Sequence, residues 1–235
     1  MWKTIMGKLL KCFGKKPQTA VINDPAADAE KKLGQPVSVL RECDLWKENA
    51  SYCTTGQFRD LGTKGFKRHC GPTAVTNAVR AIRSRYGYGD RGMQPEEDFL
   101  KVARIGTRSL IYHNTDLLHR FGGTYDSLSG IFVRLCFWRF GIPRTVKIRQ
   151  KVAFTKDFWI RSLEKGSLLY LHLLRHSCYS SHHVICYGYA EVESEDHLYK
   201  KLYLKIADGW IRQPRYLDAD DIRFCHYLEV RQKGN

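Results

Sequence analysis

Cys70 stands in a sequence setting that favours nucleophilic chemistry. It opens the segment CGPTAVTNAVRAIRSRY, whose apolar residues recur at the spacing of one helix face, and Pro72 suits an early helical position. The N-terminus of a helix stabilises a thiolate through its unpaired N–H groups and its dipole. Residues 67–69, a Lys-Arg-His run, add positive charge just before it. We therefore predict that Cys70 is a nucleophile; the alternative is a buried structural cysteine.

A pair of histidines supplies two candidates for the base that accepts the proton of such a thiol. His182 and His183 open the apolar strand HHVICYGY, and a strand holds a base more firmly than a loop does. Neighbouring residues on a strand face opposite sides, so at most one of the two faces Cys70. The alternative for either residue is an ordinary structural histidine.

Asp208 is the candidate for the residue that orients the base. It follows the apolar strand LYLKIAD and precedes Gly209 and Trp210. A carboxylate at this place could hold an imidazole in the right tautomer and orientation, and Trp210 could shield that hydrogen bond from water. The alternative is an ordinary Asp-Gly turn at the end of a strand.

The elements that must position these residues fall into two halves. Patterns of helical spacing predict helices at residues 70–86, 95–104, 114–121, 127–140 and 154–164. Apolar, β-branched and aromatic runs predict strands at residues 167–174, 182–192, 202–208 and 219–231. This order predicts an α+β domain whose N-terminal helical half packs on a C-terminal antiparallel sheet.

We expect that domain to cover residues 41–235. Residues 1–16 carry apolar residues at helical spacing among lysines, a basic amphipathic pattern that could lie on an anionic membrane surface or dock on the protein itself. Residues 17–40 mix Pro, Gly, Ala and charge, which predicts a linker with one short helix at residues 25–33. Neither a transmembrane helix nor a signal peptide is expected.

Taken together, these segments resemble papain-like cysteine peptidases. They are closest to cysteine peptidase family 39 and its relatives, bacterial proteins that cut bacteriocin leader peptides after double glycine or have diverged from that role. The residues that carry the resemblance are Cys-Gly-Pro-Thr-Ala-Val-Thr-Asn from Cys70, His-x-Val-x-x-x-Gly-Tyr from His182, and Asp208 after the next strand. The resemblance covers residues 57–217.

The resemblance implies a papain-like fold and a Cys-His-Asp triad, with Cys70 as nucleophile, His182 as base and Asp208 as the orienting residue. It implies hydrolysis of a peptide bond in a peptide or protein substrate through a thioester acyl-enzyme. No cofactor and no metal are expected. His183 remains the fallback base, because a one-residue difference in register exchanges the two histidines.

One part of the family pattern is missing. The family places a glutamine that donates to the oxyanion six residues before the cysteine, and this chain has Lys64 there. The nearest upstream glutamine is Gln57, which serves only if the intervening loop brings it to the site. The backbone N–H of Cys70 supplies one donor in any case.

Three other interpretations stay open. The missing glutamine favours a papain-like binding module without catalytic activity. A transglutaminase-like enzyme, which uses the same Cys-His-Asp triad, would transfer the acyl group to an amine instead of water. A zinc site is the third, although its spacing matches no known zinc motif. Its ligands would come from the cluster of Cys178, His182, His183 and Cys186, with His172 and His176 nearby.

Charge and cysteine content limit the partners and the location. The chain has 39 Lys and Arg against 24 Asp and Glu, a formal net charge of +15, which favours anionic partners. No nucleic-acid-binding motif accompanies this charge, so nucleic acid is not expected. The eight cysteines include no Cys-x-x-Cys pair, which favours a reducing cytoplasmic location, with peripheral membrane contact through residues 1–16 as an addition. A disulfide between Cys43 and Cys53 stays open.

Overall fold

The computed structural model describes residues 21–46, 52–62, 65–88, 94–114, 123–151, 155–222 and 224–232. Its α-helices are α1 (Pro25–Leu33), α2 (Thr55–Phe58), α3 (Cys70–Tyr86), α4 (Pro95–Arg108), α5 (Ser129–Arg139) and α6 (Lys156–Glu164). Its strands are β1 (Val37–Cys43), β2 (Tyr112–His113), β3 (Gly123–Thr124), β4 (Val146–Lys151), β5 (Leu168–His176), β6 (Ser180–Ser194), β7 (Lys200–Ala207), β8 (Arg215–Asp218) and β9 (Phe224–Gln232). A 3₁₀ turn, Asp126–Leu128, leads into α5.

Seven of the described strands form one antiparallel sheet. Its order is β4-β9-β5-β6-β7-β8, and β1 also pairs with β6. The first half of β6 pairs with β5, where Cys186 lies opposite Leu169, and its second half pairs with β1, where Tyr189 lies opposite Cys43. Strand β7 pairs along the other edge of β6. Strand β6 is therefore the centre of the sheet, and it begins at the two histidines.

Helices pack on both faces of this sheet. On one face, Val79 of α3 and Phe132 of α5 lie in one apolar cluster with Ile185 of β6. On the other face, Trp159 of α6 lies in a second cluster with Val184 of β6. Because side chains alternate along a strand, neighbouring residues of β6 belong to different clusters. The same alternation separates the rings of the two histidines at its start.

Helices α3 and α4 are joined by a buried ion-pair network. Asp98, in the first turn of α4, is 0% exposed, and its carboxylate contacts the guanidinium groups of Arg80 and Arg83 on α3. The Oδ1 atom of Asp98 lies 3.1 Å from Nη1 of Arg83. This network fixes α4 against the helix that carries Cys70 at its N-terminus.

The coarse sequence predictions are confirmed. The architecture combines helices with an antiparallel sheet, as expected for the α+β class, and the helices at residues 25–33, 70–86, 95–104, 127–140 and 154–164 are present within a few residues of their predicted bounds. The four predicted strands are β5, β6, β7 and β9. The helix predicted at residues 114–121 and the amphipathic segment of residues 1–16 lie outside the described residues.

The structure differs from the sequence analysis before residue 41. Strand β1 crosses the predicted boundary at that residue, and Ala29 of α1 packs with Val192 and Tyr203 of the sheet. The described part of the predicted linker therefore belongs to the fold. Strands β4 and β8 were also not predicted. Cys43 and Cys53 are both free thiols, so the disulfide between them is not formed. Among the described residues, no helix has the length and apolar character to span a membrane.

Gly188 permits the close approach of β1 to β6. The pairing of β6 with β7 is irregular between Cys186 and Gly188, and a Cβ atom at residue 188 would overlap the carbonyl oxygen of Cys43. We expect Gly188→Ala to lower the free energy of unfolding by about 1–3 kcal/mol, the usual cost of overpacking, in urea titrations. Gly56→Ala is the control, because the nearest atom to its Cβ is 3.8 Å away. Equal costs for the two variants would contradict this account.

Candidate active site

A cleft opens where the N-terminus of α3 meets the start of β6. Its cavity volume is about 870 Å³. The described residues that line it come from Thr55 of α2, from the loop before α3 and Cys70 itself, from β3 and Asp126, from His172 of β5, from residues 181–183 of β6, and from Trp210. The structure thus brings Cys70, His182 and His183 to one cleft, although more than 100 residues separate the cysteine from the histidines.

Cys70 is the first residue of α3, as predicted, and is partly exposed. Burial of the sulfur raises the pKa of the Cys70 thiol, while backbone hydrogen bonds from His183, Gly71 and Cys70 itself act in the opposite direction. Gly71 permits β3 to pack closely against the first turn of α3, because a Cβ atom at residue 71 would overlap the side chain of Thr124 on β3. Burial therefore favours the neutral thiol, while the backbone donors around the sulfur favour its negatively charged form.

His182 is fixed in one tautomer by a backbone carbonyl. Its ring is 5% exposed, and its Nε2 donates to the carbonyl oxygen of Asp208 at 2.6 Å. Because a carbonyl oxygen only accepts, Nε2 carries the proton and Nδ1 carries the lone pair of the neutral ring. The rings of Tyr179 and Trp210 lie 5.6 and 5.1 Å from it between centroids. Burial lowers the pKa of His182, which favours the neutral form of this ring.

Asp208 contacts His182 through its backbone and not through its carboxylate. The carboxylate accepts hydrogen bonds from the N–H of Trp210 at 2.8 Å and from the hydroxyl of Tyr179 at 3.2 Å, and it forms an ion pair with Arg215. This differs from the expected triad geometry, because the guanidinium and the N–H groups of the turn attract the carboxylate away from the imidazole. The ring of Trp210 lies beside that of His182, but the carboxylate–imidazole hydrogen bond that it was expected to shield is not formed.

The ring of His183 is on the opposite face of β6 from that of His182, the face on which α3 packs, and it also lines the cleft. Its Nδ1 lies 2.8 Å from the hydroxyl of Tyr170, and its Nε2 lies 3.5 Å from a carboxylate oxygen of Asp126. Burial lowers the pKa of His183 well below its usual value. Within the described part of the chain, no hydrogen bond joins the sulfur of Cys70 to the ring of either histidine. Of the two histidines, His183 contacts that sulfur, and it does so through its backbone.

Gln57 does not line the cleft. It lies on α2, and its Nε2 donates to Oε1 of Glu96 on α4 at 2.5 Å. The side chain predicted as an oxyanion donor is therefore held by a neighbouring carboxylate in this structure, while Thr55 on the same short helix does reach the cleft. Lys64, which stands at the position of the family glutamine, lies outside the described residues.

Asp126 and His172 are cleft residues that the analysis of the triad did not include. His172 appeared only as a neighbour in the zinc interpretation, and no motif marks Asp126. Within the described residues, the group of side chains suited to a metal ion is Asp126, His172 and His183, which does not include Cys178 or Cys186. Cys186 lies in the cluster on the opposite face of the sheet. The ligand set considered from the sequence is thus not assembled.

Comparison with known proteins adds no family assignment. No protein-family model matches this chain, and no curated protein matches it at a significant level. The resemblance to papain-like peptidases therefore rests on the motifs of the sequence, and the function must be argued from the geometry of the cleft.

Proposed function

We propose that this protein is a papain-like cysteine peptidase with Cys70 as its nucleophile and His182 as its base. One observation carries the proposal: the helix N-terminus that bears Cys70 shares a cleft with a histidine whose Nε2–H is held by the Asp208 carbonyl beside Trp210. That hydrogen bond leaves Nδ1 as the proton acceptor. A thiol and an oriented imidazole in one cleft are the pair that nucleophilic catalysis requires.

The proposed reaction is acyl transfer. The proton of the Cys70 thiol passes to Nδ1 of His182 while the sulfur forms a bond to the peptide carbonyl carbon. The C–N bond then breaks, and His182 returns the proton to the leaving amine. Water attacks the resulting thioester, which releases a carboxylic acid and restores the thiol. The backbone N–H groups of Cys70 and Gly71, at the N-terminus of α3, are the donors we assign to the oxyanion.

The proposal requires the sulfur of Cys70 and Nδ1 of His182 to come within hydrogen-bonding distance when an electrophile, whether a peptide substrate or an alkylating reagent, enters the cleft. Catalytic hydrogen bonds are often long or poorly aligned in empty sites and tighten in the substrate complex. Burial raises the pKa of Cys70 and lowers that of His182, so it favours the neutral form of both groups. We therefore propose general-base activation of a thiol and not a permanent thiolate–imidazolium pair.

Alkylation with iodoacetamide, read at each cysteine by mass spectrometry across a pH series, tests this pair. We expect Cys70 in the wild type to react faster at neutral pH than Cys178, a partly buried cysteine outside the described lining of the cleft. His182→Ala should slow the alkylation of Cys70 by about 100-fold, which is the lower end of the range for loss of a general base. The remaining reaction should need alkaline pH, because burial raises the pKa of this thiol.

His197→Ala is the matched control, because the side chain of His197 is 78% exposed and does not belong to the described lining of the cleft. It should leave the labelling rate of Cys70 unchanged. If Cys70 reacts no faster than Cys178, or if His182→Ala has no effect on its rate, the proposed catalytic pair does not exist.

A binding module without activity is the second candidate. Two observations favour it: the Asp208 carboxylate is engaged by Arg215, and the Gln57 side chain is engaged by Glu96. Slow labelling of Cys70 together with specific retention of a peptide would support this candidate. If Cys70 is activated, product analysis with an added amine separates hydrolysis from acyl transfer to the amine.

A further inference from the structure

Three side chains in the floor of the cleft converge on one point. Oδ1 of Asp126 lies 2.9 Å from Nδ1 of His172 and 3.5 Å from Nε2 of His183. One ligand atom from each of the three residues lies within 4.8 Å of the other two. The two imidazole rings stack with centroids 4.3 Å apart. Two nitrogens and a carboxylate are therefore directed at a common small volume.

The far nitrogen of each imidazole has a hydroxyl partner. The hydroxyl of Tyr170 lies 2.8 Å from Nδ1 of His183, and Oγ of Ser181 lies 3.0 Å from Nε2 of His172. When these nitrogens donate to the hydroxyl oxygens, the lone pairs are on Nε2 of His183 and Nδ1 of His172, the atoms that face Asp126. Metal-binding histidines commonly use their second nitrogen in this way, which fixes the tautomer and the ring orientation.

Position and burial also suit an ion. The side chains of His172 and His183 are 2% and 4% exposed, whereas that of Asp126 is 30% exposed and opens to the cleft. The ligands are thus held in the protein interior while one side remains accessible from the cavity that contains Cys70. Three protein ligands with an open fourth position form the usual coordination of a reactive zinc site.

We infer that Asp126, His172 and His183 form a binding site for a divalent transition metal of the zinc class, beside the nucleophilic cysteine. Two imidazoles and one carboxylate fit zinc and similar ions, and they do not fit calcium or magnesium, which prefer all-oxygen sites. The three residues line the same cavity as Cys70, and the charge of Asp126 already acts on the Cys70 thiol, so a bound ion would act on that sulfur as well. We expect an occupied site to reduce the reactivity of that thiol.

Calorimetric titration of the full, chelator-treated chain with Zn²⁺ tests the site. We expect one equivalent to bind to the wild type and to the His197→Ala control. Asp126→Asn and His172→Gln should each weaken zinc binding by more than about 100-fold. Changes to residues outside the ligand shell typically weaken metal binding by only about 10–100-fold. Near-ultraviolet circular dichroism checks that each variant is folded. If His172→Gln is misfolded, zinc binding by Asp126→Asn alone tests the site, because the side chain of Asp126 lies at the cleft surface.

Cys70→Ala separates this inference from the proposed peptidase function. Zinc binding that persists in Cys70→Ala and is lost in Asp126→Asn supports the site, whether or not the chain is a peptidase. Zinc binding that is lost in Cys70→Ala and unchanged in Asp126→Asn places the ion at the cysteine itself and overturns the inference. Absence of zinc binding to the wild type overturns it as well. In the supporting case, Zn²⁺ should also slow alkylation of Cys70 in the wild type and not in Asp126→Asn.

Discussion

Cys70→Ala is expected to reduce peptide hydrolysis by about 10⁶-fold, the scale of loss when the nucleophile of a comparable peptidase triad is removed. The reason is that no other described cysteine combines a helix N-terminus with a histidine in the same cleft. The measurement is cleavage of a random peptide mixture, followed by mass spectrometry of the products. The wild type should accumulate a thioester-linked fragment that is absent from the variant.

Cys178→Ala is the matched control for this experiment. Cys178 is a free, partly buried thiol that does not belong to the described lining of the cleft, so its loss should leave the products and their rates unchanged. Substantial residual cleavage by Cys70→Ala would show that the activity does not pass through a Cys70 thioester. Comparable losses in both variants would indicate a general effect of cysteine removal on the fold.

The second large effect is expected on stability. Asp98→Asn should lower the free energy of unfolding by about 3–5 kcal/mol, the cost of leaving a buried charge without its partner. The carboxylate of Asp98 is 0% exposed and is shared by two arginines, of which Arg83 has a side chain only 8% exposed. Removing the negative charge leaves Arg83 buried among apolar groups with no counter-ion at this position. Urea unfolding at neutral pH measures the change.

The matched control is Asp220→Asn, the same chemical change at a side chain that is 50% exposed and paired with Lys156. Surface ion pairs contribute about 0–1 kcal/mol, so this variant should unfold close to the wild type. A loss below about 1 kcal/mol for Asp98→Asn would mean that the network between α3 and α4 adds little to stability. The position of α3, and with it that of Cys70, would then depend on the apolar cluster alone.

The features that could be predicted from sequence are those that depend on local patterns. The apolar spacing after Cys70 marks α3, and the run of apolar and aromatic residues after His183 marks β6, so both elements are confirmed. Each is also long enough for its pattern to be clear. Strands β4 and β8 are shorter, and their polar residues conceal the alternation. Strand β1 escaped prediction because five of its seven residues are exposed.

Side-chain orientation at the site could not be predicted in the same way. The position of Asp208 after β7 was predicted, but its carboxylate is directed at Arg215, which lies on the next strand and competes with the imidazole. Gln57 is engaged by Glu96 from another helix. Asp126 lies in the 3₁₀ turn that follows β3, so its place in the cleft depends on the pairing of β3 with β2. Each of these outcomes is decided by residues distant in the sequence, which no local motif contains.

The pairing of β1 with the second half of β6 has a consequence for solubility. A chain shortened to residue 41, the predicted domain start, would lose residues 37–40 of β1 and leave residues 192–194 of β6 with unpaired N–H and C=O groups along one side. Such an open strand edge is a template for pairing with another molecule, which is a common route to aggregation. The segment before residue 41 thus acts as a protective cover for the central strand that carries the histidines.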